Sequence, residues 1–128
     1  MRGGIISHNI ASRLSGGGVQ NQGLNNIDGY FSMYGGEISH NTAKRSGGGV
    51  NISSTSVYIM NGGTIRANNA YHGGGVRVWG NFVMRGGRII DNTASYGGGV
   101  YIRGEHANFD HISGEISNNH PDNIRFPD

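Results

Sequence analysis

The 128-residue chain contains no cysteine, which removes disulfide frameworks and thiolate metal sites together and leaves the redox compartment unreadable. No apolar run reaches the roughly 18 residues that a membrane-spanning helix needs. The opening stretch, Met1 to Ser7, is too short for the apolar core of a secretory leader. Membrane insertion is therefore not expected, and a leader, if the protein is exported, lies outside these residues. No segment keeps helical periodicity over the roughly ten residues a helix requires. Charge is scant as well: 10 Lys and Arg against 8 Asp and Glu leave a formal charge of +2, too little to argue for nucleic acid as a partner.

What the chain has is glycine, 25 of them beside two prolines, in fixed phase with Met, Ile, Val and Phe. Glycine in register marks repeated turns and not disorder. The skeleton M-x-G-G-x-I-x-x-N-x-A, a short spacer and then G-G-G-V runs from Met84 to Val100 and recurs at Met1 to Val19, Met33 to Val50 and Met60 to Val76, with a worn copy at His111 to Ile124. Aligning the copies gives columns: Ile6, Ile38, Ile65, Ile89 and Ile116; Ala11, Ala43, Ala70 and Ala94; Val19, Val50, Val76, Val100 and Ile124. Phe31, Tyr58, Phe82 and Phe109 stand two residues before each Met register. Ile52, Val78, Ile102 and Phe126 stand two after each Val register, with Asn21 the exception. Such pairs have the period of two that belongs to strands.

Each copy thus reads as most of one coil of a β-solenoid. Three short strands per coil are expected: V-x-[I/V], F-x-M, and one through the Ile column. Gly-Gly, the Asn-x-Ala corner and a turn of variable length separate them. The domain expected over 1–128 is divided into coils 1–30, 31–57, 58–81, 82–108 and 109–128, about five coils of about 24 to 31 residues. Insertions at Gln20 to Tyr30, Ser53 to Val57 and Arg103 to Asn108 all fall in one turn. One coil cannot bury its own apolar face, so neighbours must supply packing and hydrogen bonds. Stacking at about 4.8 Å per coil places Asn9, Asn41, Asn68, Asn92 and Asn119 above one another, as an internal amide ladder at a corner. The alternative is a row of surface turn asparagines.

G-G-x-I with Asn three residues on, G-G-G-V and F-x-M-x-G-G resemble the right-handed parallel β-helix repeats of bacterial surface proteins with a pectin-lyase-like fold. They are also similar to repeats of chlamydial polymorphic membrane proteins. The resemblance covers residues 1 to 126 and implies an all-β, right-handed parallel β-helix at a cell surface or outside the cell. Those proteins are usually far longer and carry an anchoring region. Whether Met1 is a natural start or a cut end is left open.

The outward positions of V-x-[I/V]-x are Gln20, Asn51, Arg77, Tyr101 and Arg125 in one column and Gln22, Ser53, Trp79, Arg103 and Pro127 in the next. Arg77, Trp79, Tyr101, Arg103 and Arg125 therefore cluster on one face. Aromatic rings beside guanidiniums can stack sugars and hold acidic groups; ordinary cross-strand pairs on a solvated face are the other reading. These positions carry no Asp or Glu, whereas glycan hydrolysis needs paired carboxylates and the fold's lyases need an acidic calcium site. Asp91, Glu105 and Asp110 fall on other faces or in turns. His8 and His40 share a register at about 5 Å, but Ala67 follows in that column, so stacked surface rings are expected and not a metal site. The glycine triplets lack the Lys-Ser or Lys-Thr of a phosphate loop.

No cofactor is expected. The function expected is a non-enzymatic structural or adhesive module that associates with itself through coil ends or sheet faces. A module binding acidic or neutral glycans is the alternative, and a polysaccharide lyase or hydrolase stands third. Pro121, Asp122 and Asn123 replace the last glycine triplet and are expected to hinder further strand addition.

Overall fold

A computed structural model of the chain describes residues 1–24 and 28–126; Pro127, counted above among the outward positions, lies outside them. Every regular element among the described residues is a β-strand, and all pair in parallel. The strands stack as a β-solenoid of about 4 turns. In chain order, the first sheet holds Ile5–Ser7, Glu37–Ser39, Thr64–Arg66, Arg88–Ile90 and Glu115–Ser117. The second holds Ile10–Ala11, Thr42–Ala43, Asn69–His72 and Thr93–Tyr96. The third holds Val19–Asn21, Val50–Ile52, Val76–Val78, Val100–Ile102 and Ile124–Arg125, and the fourth Gly29–Met33, Ser56–Met60, Asn81–Met84 and Asn108–His111.

A coil therefore has four strands where the sequence suggests three. The extra one follows the Asn-x-Ala corner, whose strands on the first two coils are only two residues long, too brief for alternation to register. The residue before each ladder asparagine turns the corner: His8, His40, Ala67, Asp91 and Asn118 all have φ between 54° and 59°, the left-handed region that side chains other than Asn and Asp enter at a cost. After that bend the chain is extended again and points Ala43, Ala70 and Ala94 inward.

Register follows the repeat columns. Ile38 pairs with Ile6 and Ile65, Val76 with Val50 and Val100, and Met60 with Met33 and Met84. These side chains fill the tube, and Phe31, Tyr58, Phe82 and Phe109 pass through it as a ring column with centroids 5.1, 5.4 and 4.9 Å apart. Like side chains meet like from layer to layer, the rings stacking except at Tyr58 and Phe82, which meet edge to face. Two positions need comment. Asn21 points into the interior and donates its side-chain amide to the Val57 carbonyl at 2.9 Å, which makes its burial tolerable. Phe126, expected inside, is instead exposed; the last strand ends at Arg125 and no longer directs it inward.

The ladder is internal, not a surface row. The Asn68 backbone N–H and Nδ2 both donate to Asn92 Oδ1 at 3.0 Å, and Nδ2 donates also to the Ile38 carbonyl of the coil before. Asn9, Asn41 and Asn92 repeat the donation to the next Oδ1. At the last coil, Asn119 donates from both groups to Asn123 Oδ1 at 3.1 Å. Asn123 thus takes, from within the same coil, the place a sixth ladder residue would hold.

Candidate functional site

The glycine triplets shape a concave outer corner between the second and third sheets. Gly73 (φ 66°) reverses the bend, and a Cβ there would meet the Arg77 Cα at 3.0 Å; at Gly97 it would meet the Tyr101 Cβ at 2.8 Å. Outer faces of the two sheets consequently close on each other. On the third and fourth coils the second sheet lengthens to four residues, which carries Tyr71, His72 and Tyr96 out beside that corner.

The result is a trough of two adjoining hollows, about 480 and 460 Å³, that share His72, Arg77 and Trp79. Lys44, Arg45, Ser46 and Tyr71 line one hollow; Tyr101, Arg103, Gly104 and Glu105 line the other. The Arg77 guanidinium lies 4.0 Å over the Trp79 ring. Its Nε is buried and has no hydrogen-bond partner among the described residues. Burial holds Arg77 below the ordinary arginine range, the Tyr101 phenol pulling the other way and Arg103 adding to the lowering. Arg103 donates to the Tyr101 hydroxyl at 3.5 Å, a long contact. The Trp79 indole rests against Gly104 of the following turn, where φ is 140° and a Cβ would collide with the ring.

His72 forms the floor between the hollows. Its ring stacks on Tyr96 at 5.5 Å, tilts against Tyr101 at 4.9 Å and meets the edge of Tyr71 at 4.6 Å. Burial first, then Arg77 and Arg103, push its pKa below the ordinary 6.5. Backbone bonds fix it: His72 N–H donates to the Arg45 carbonyl at 2.8 Å, and its own carbonyl accepts from Gly47 N–H at 2.9 Å.

Of the residues singled out in the sequence, Arg77, Trp79, Tyr101 and Arg103 come together in the trough. Tyr101, read from the sequence as exposed, is buried, because His72 covers it. Arg125 is drawn to one side, 3.6 Å from Asp122 and 5.3 Å from the centre of the Tyr96 ring. Asn51, in the same outward column, is buried and donates to Gln20 at 3.1 Å. Sequence reasoning missed Lys44, Arg45, Tyr71, His72 and Tyr96, which fall in the spacer between the Asn-x-Ala corner and the glycine triplet; the aromatic residue just before Gly73 and Gly97 is the signal there. Glu105, expected in a turn away from this face, brings the trough a single carboxylate.

His8 and His40 stack with centroids 5.1 Å apart and planes 3° from parallel. Among the described residues no three His, Cys, Asp or Glu side chains stand close enough to hold a metal ion. No family model, curated protein or solved structure matches the chain.

Proposed function

We propose that this solenoid is a non-enzymatic adhesive module that binds acidic glycans along the trough of its third and fourth coils. The observation that carries the reading is the Arg77 guanidinium, stacked on Trp79 with a buried, unpartnered Nε. A buried donor without an acceptor costs about 1–3 kcal/mol, which an anionic group entering the trough would offset. Trp79, Tyr71 and Tyr96 are exposed along the rim and offer sugar rings apolar faces to lie on. Lys44, Arg45 and Arg103 supply further positive charge. Glu105 alone is not the carboxylate pair that hydrolysis uses. The repeat's resemblance to pectin-lyase-like surface proteins adds an extracellular or cell-surface setting to the same proposal.

Calorimetric titration with sulfated dextran and with unsulfated dextran tests it. Binding of the sulfated chain, weakened at least tenfold by Trp79→Ala or Arg77→Ala and by added salt, is expected. Equal binding by both variants and the native chain would sink the reading. Association through coil ends is a separate proposal, supported by Met1, Ile6 and Val19, which only partly bury themselves on the core. Sedimentation showing monomers at high concentration removes it.

A further inference from the structure

We infer that His72 couples ligand binding in the trough to proton uptake: an anion seated against Arg77 and Arg103 draws a proton onto the His72 ring, and is therefore held more tightly as pH falls. The inference rests on the proposed binding of anions in the trough and adds to it a regulation of that site by acidity.

Its basis is position. His72 is the one titratable side chain with an ordinary value near neutrality among those lining the trough, and it lines both hollows. On its own strand it faces Tyr71; from the neighbouring strand of the same sheet it faces Tyr96. The third sheet presents Tyr101, Arg77 and Arg103, and the turn beyond presents Glu105. From the segment after Thr42–Ala43 come Lys44 and Arg45. Arg125 stands on the far side of Tyr96. The surroundings are thus mostly cationic or aromatic, and a second positive charge at the centre is unwelcome while the trough holds only these groups.

An anionic ligand reverses that balance. It offsets the charge of Arg77 and Arg103, the two repulsive neighbours that, after burial, lower the ring's pKa. The ring's pKa is therefore higher in the complex than in the free protein. Linkage fixes the sign: a group whose pKa rises on binding takes up a proton, and affinity grows as pH falls through the bound value and levels off below the free one. Each unit between the two values is worth about tenfold in affinity. Three aromatic rings pack around the imidazole, and its backbone is hydrogen-bonded on both sides.

Sulfated dextran oligosaccharide is the probe, because its sulfates stay ionised throughout. Its affinity is measured between pH 7.5 and 5.5 for the native chain and for His72→Gln, which keeps a polar side chain without the titration. The native chain is expected to bind about three- to tenfold more tightly at the acid end, and the variant to show a flat profile. The Cε1–H resonance of His72 in the native chain, titrated with and without saturating probe, supplies a readout independent of the variant; its midpoint is expected to move upward in the complex. A flat native profile with an unmoved midpoint overturns the coupling while leaving the trough as an anion site. Absence of binding at every pH overturns both.

Discussion

A Cβ placed on Gly75 would lie 2.9 Å from the Asn92 amide nitrogen and 2.7 Å from the Gly99 carbonyl, both one coil further on. The last glycine of each triplet and the ladder asparagine of the next coil are therefore one device: the amide can sit against the corner only where the side chain is a hydrogen. Gly75→Ala is expected to cost at least about 2 kcal/mol, at the upper part of the usual range for overpacking, because the neighbours are backbone and a bonded amide. Gly3→Ala, with nothing within 4 Å of its Cβ, is expected to stay within about 0.5 kcal/mol. Urea unfolding of the two variants makes the comparison.

Asn92→Ala removes the acceptor of the Asn68 backbone N–H and the donor to the Ile65 carbonyl, both buried. Two orphaned backbone groups set the loss at about 3 kcal/mol or more. Asn9→Ala, at the exposed end of the ladder, is expected to cost less than about 1 kcal/mol. Equal losses at the two positions would mean that the ladder's hydrogen bonds are not what stabilises the corner.

Ala67 occupies a left-handed position, φ 54°, that Asn118 fills on the last coil. Asn adopts that conformation at less cost than alanine, so Ala67→Asn is expected to raise stability by about 0.5–1 kcal/mol. A lower thermal midpoint for the variant would refute the assignment of strain.

Glu37 accepts a hydrogen bond from Ser39, the largest influence on it, and another from Arg66, which together hold its carboxyl below the ordinary 4.5. Because the folded value is depressed, the stabilisation is fully present above 4.5 and is lost as pH falls through the folded value. Native chain and Glu37→Gln are expected to differ in urea midpoint at pH 7 and to converge in more acidic solution. A difference that persists unchanged to pH 2 would contradict this.

Tyr58 is fully buried and its hydroxyl donates to the Met33 sulfur at 3.2 Å, a weak acceptor. Burial raises the phenol far above its ordinary value. Tyr58→Phe is therefore expected to leave stability unchanged or to raise it by up to about 1 kcal/mol, and the native phenol to stay un-ionised until the chain unfolds in alkali. Ultraviolet titration follows the second point.

The tube was legible in the sequence and the trough only in half. Columns such as Ile38, Ile65 and Ile89 are readable because stacking puts identical residues in identical surroundings, so periodicity alone locates them. Arg77, Trp79, Tyr101 and Arg103 were found because they sit on a strand whose inward partners, Val76 and Val78, fix the alternation. His72 and Tyr96 share a register on the third and fourth coils alone: the first two coils have no aromatic there, and their two-residue strands in this sheet end before that position. Their meeting with Tyr101 depends on a concave corner at Gly73 and Gly97, and the direction of a bend is a three-dimensional property that spacing does not encode. The burial of Tyr101 escapes the sequence for the same reason.

The asparagine ladder has a direction. Each side-chain amide gives one hydrogen toward the C-terminal coil and turns its own carbonyl toward the N-terminal one, the second hydrogen of Asn41, Asn68 and Asn92 going back to an isoleucine carbonyl of the coil before, so the C=O dipoles add along the axis as peptide dipoles do along a helix. The tube is electrically polar: its first coil presents the oxygen end of the row at Asn9, and at the other end Asn123 absorbs the row's last hydrogens within the chain itself. Two such tubes meeting along one axis are not equivalent in their two orientations, and the carbonyl that a following coil would have to supply is already in place.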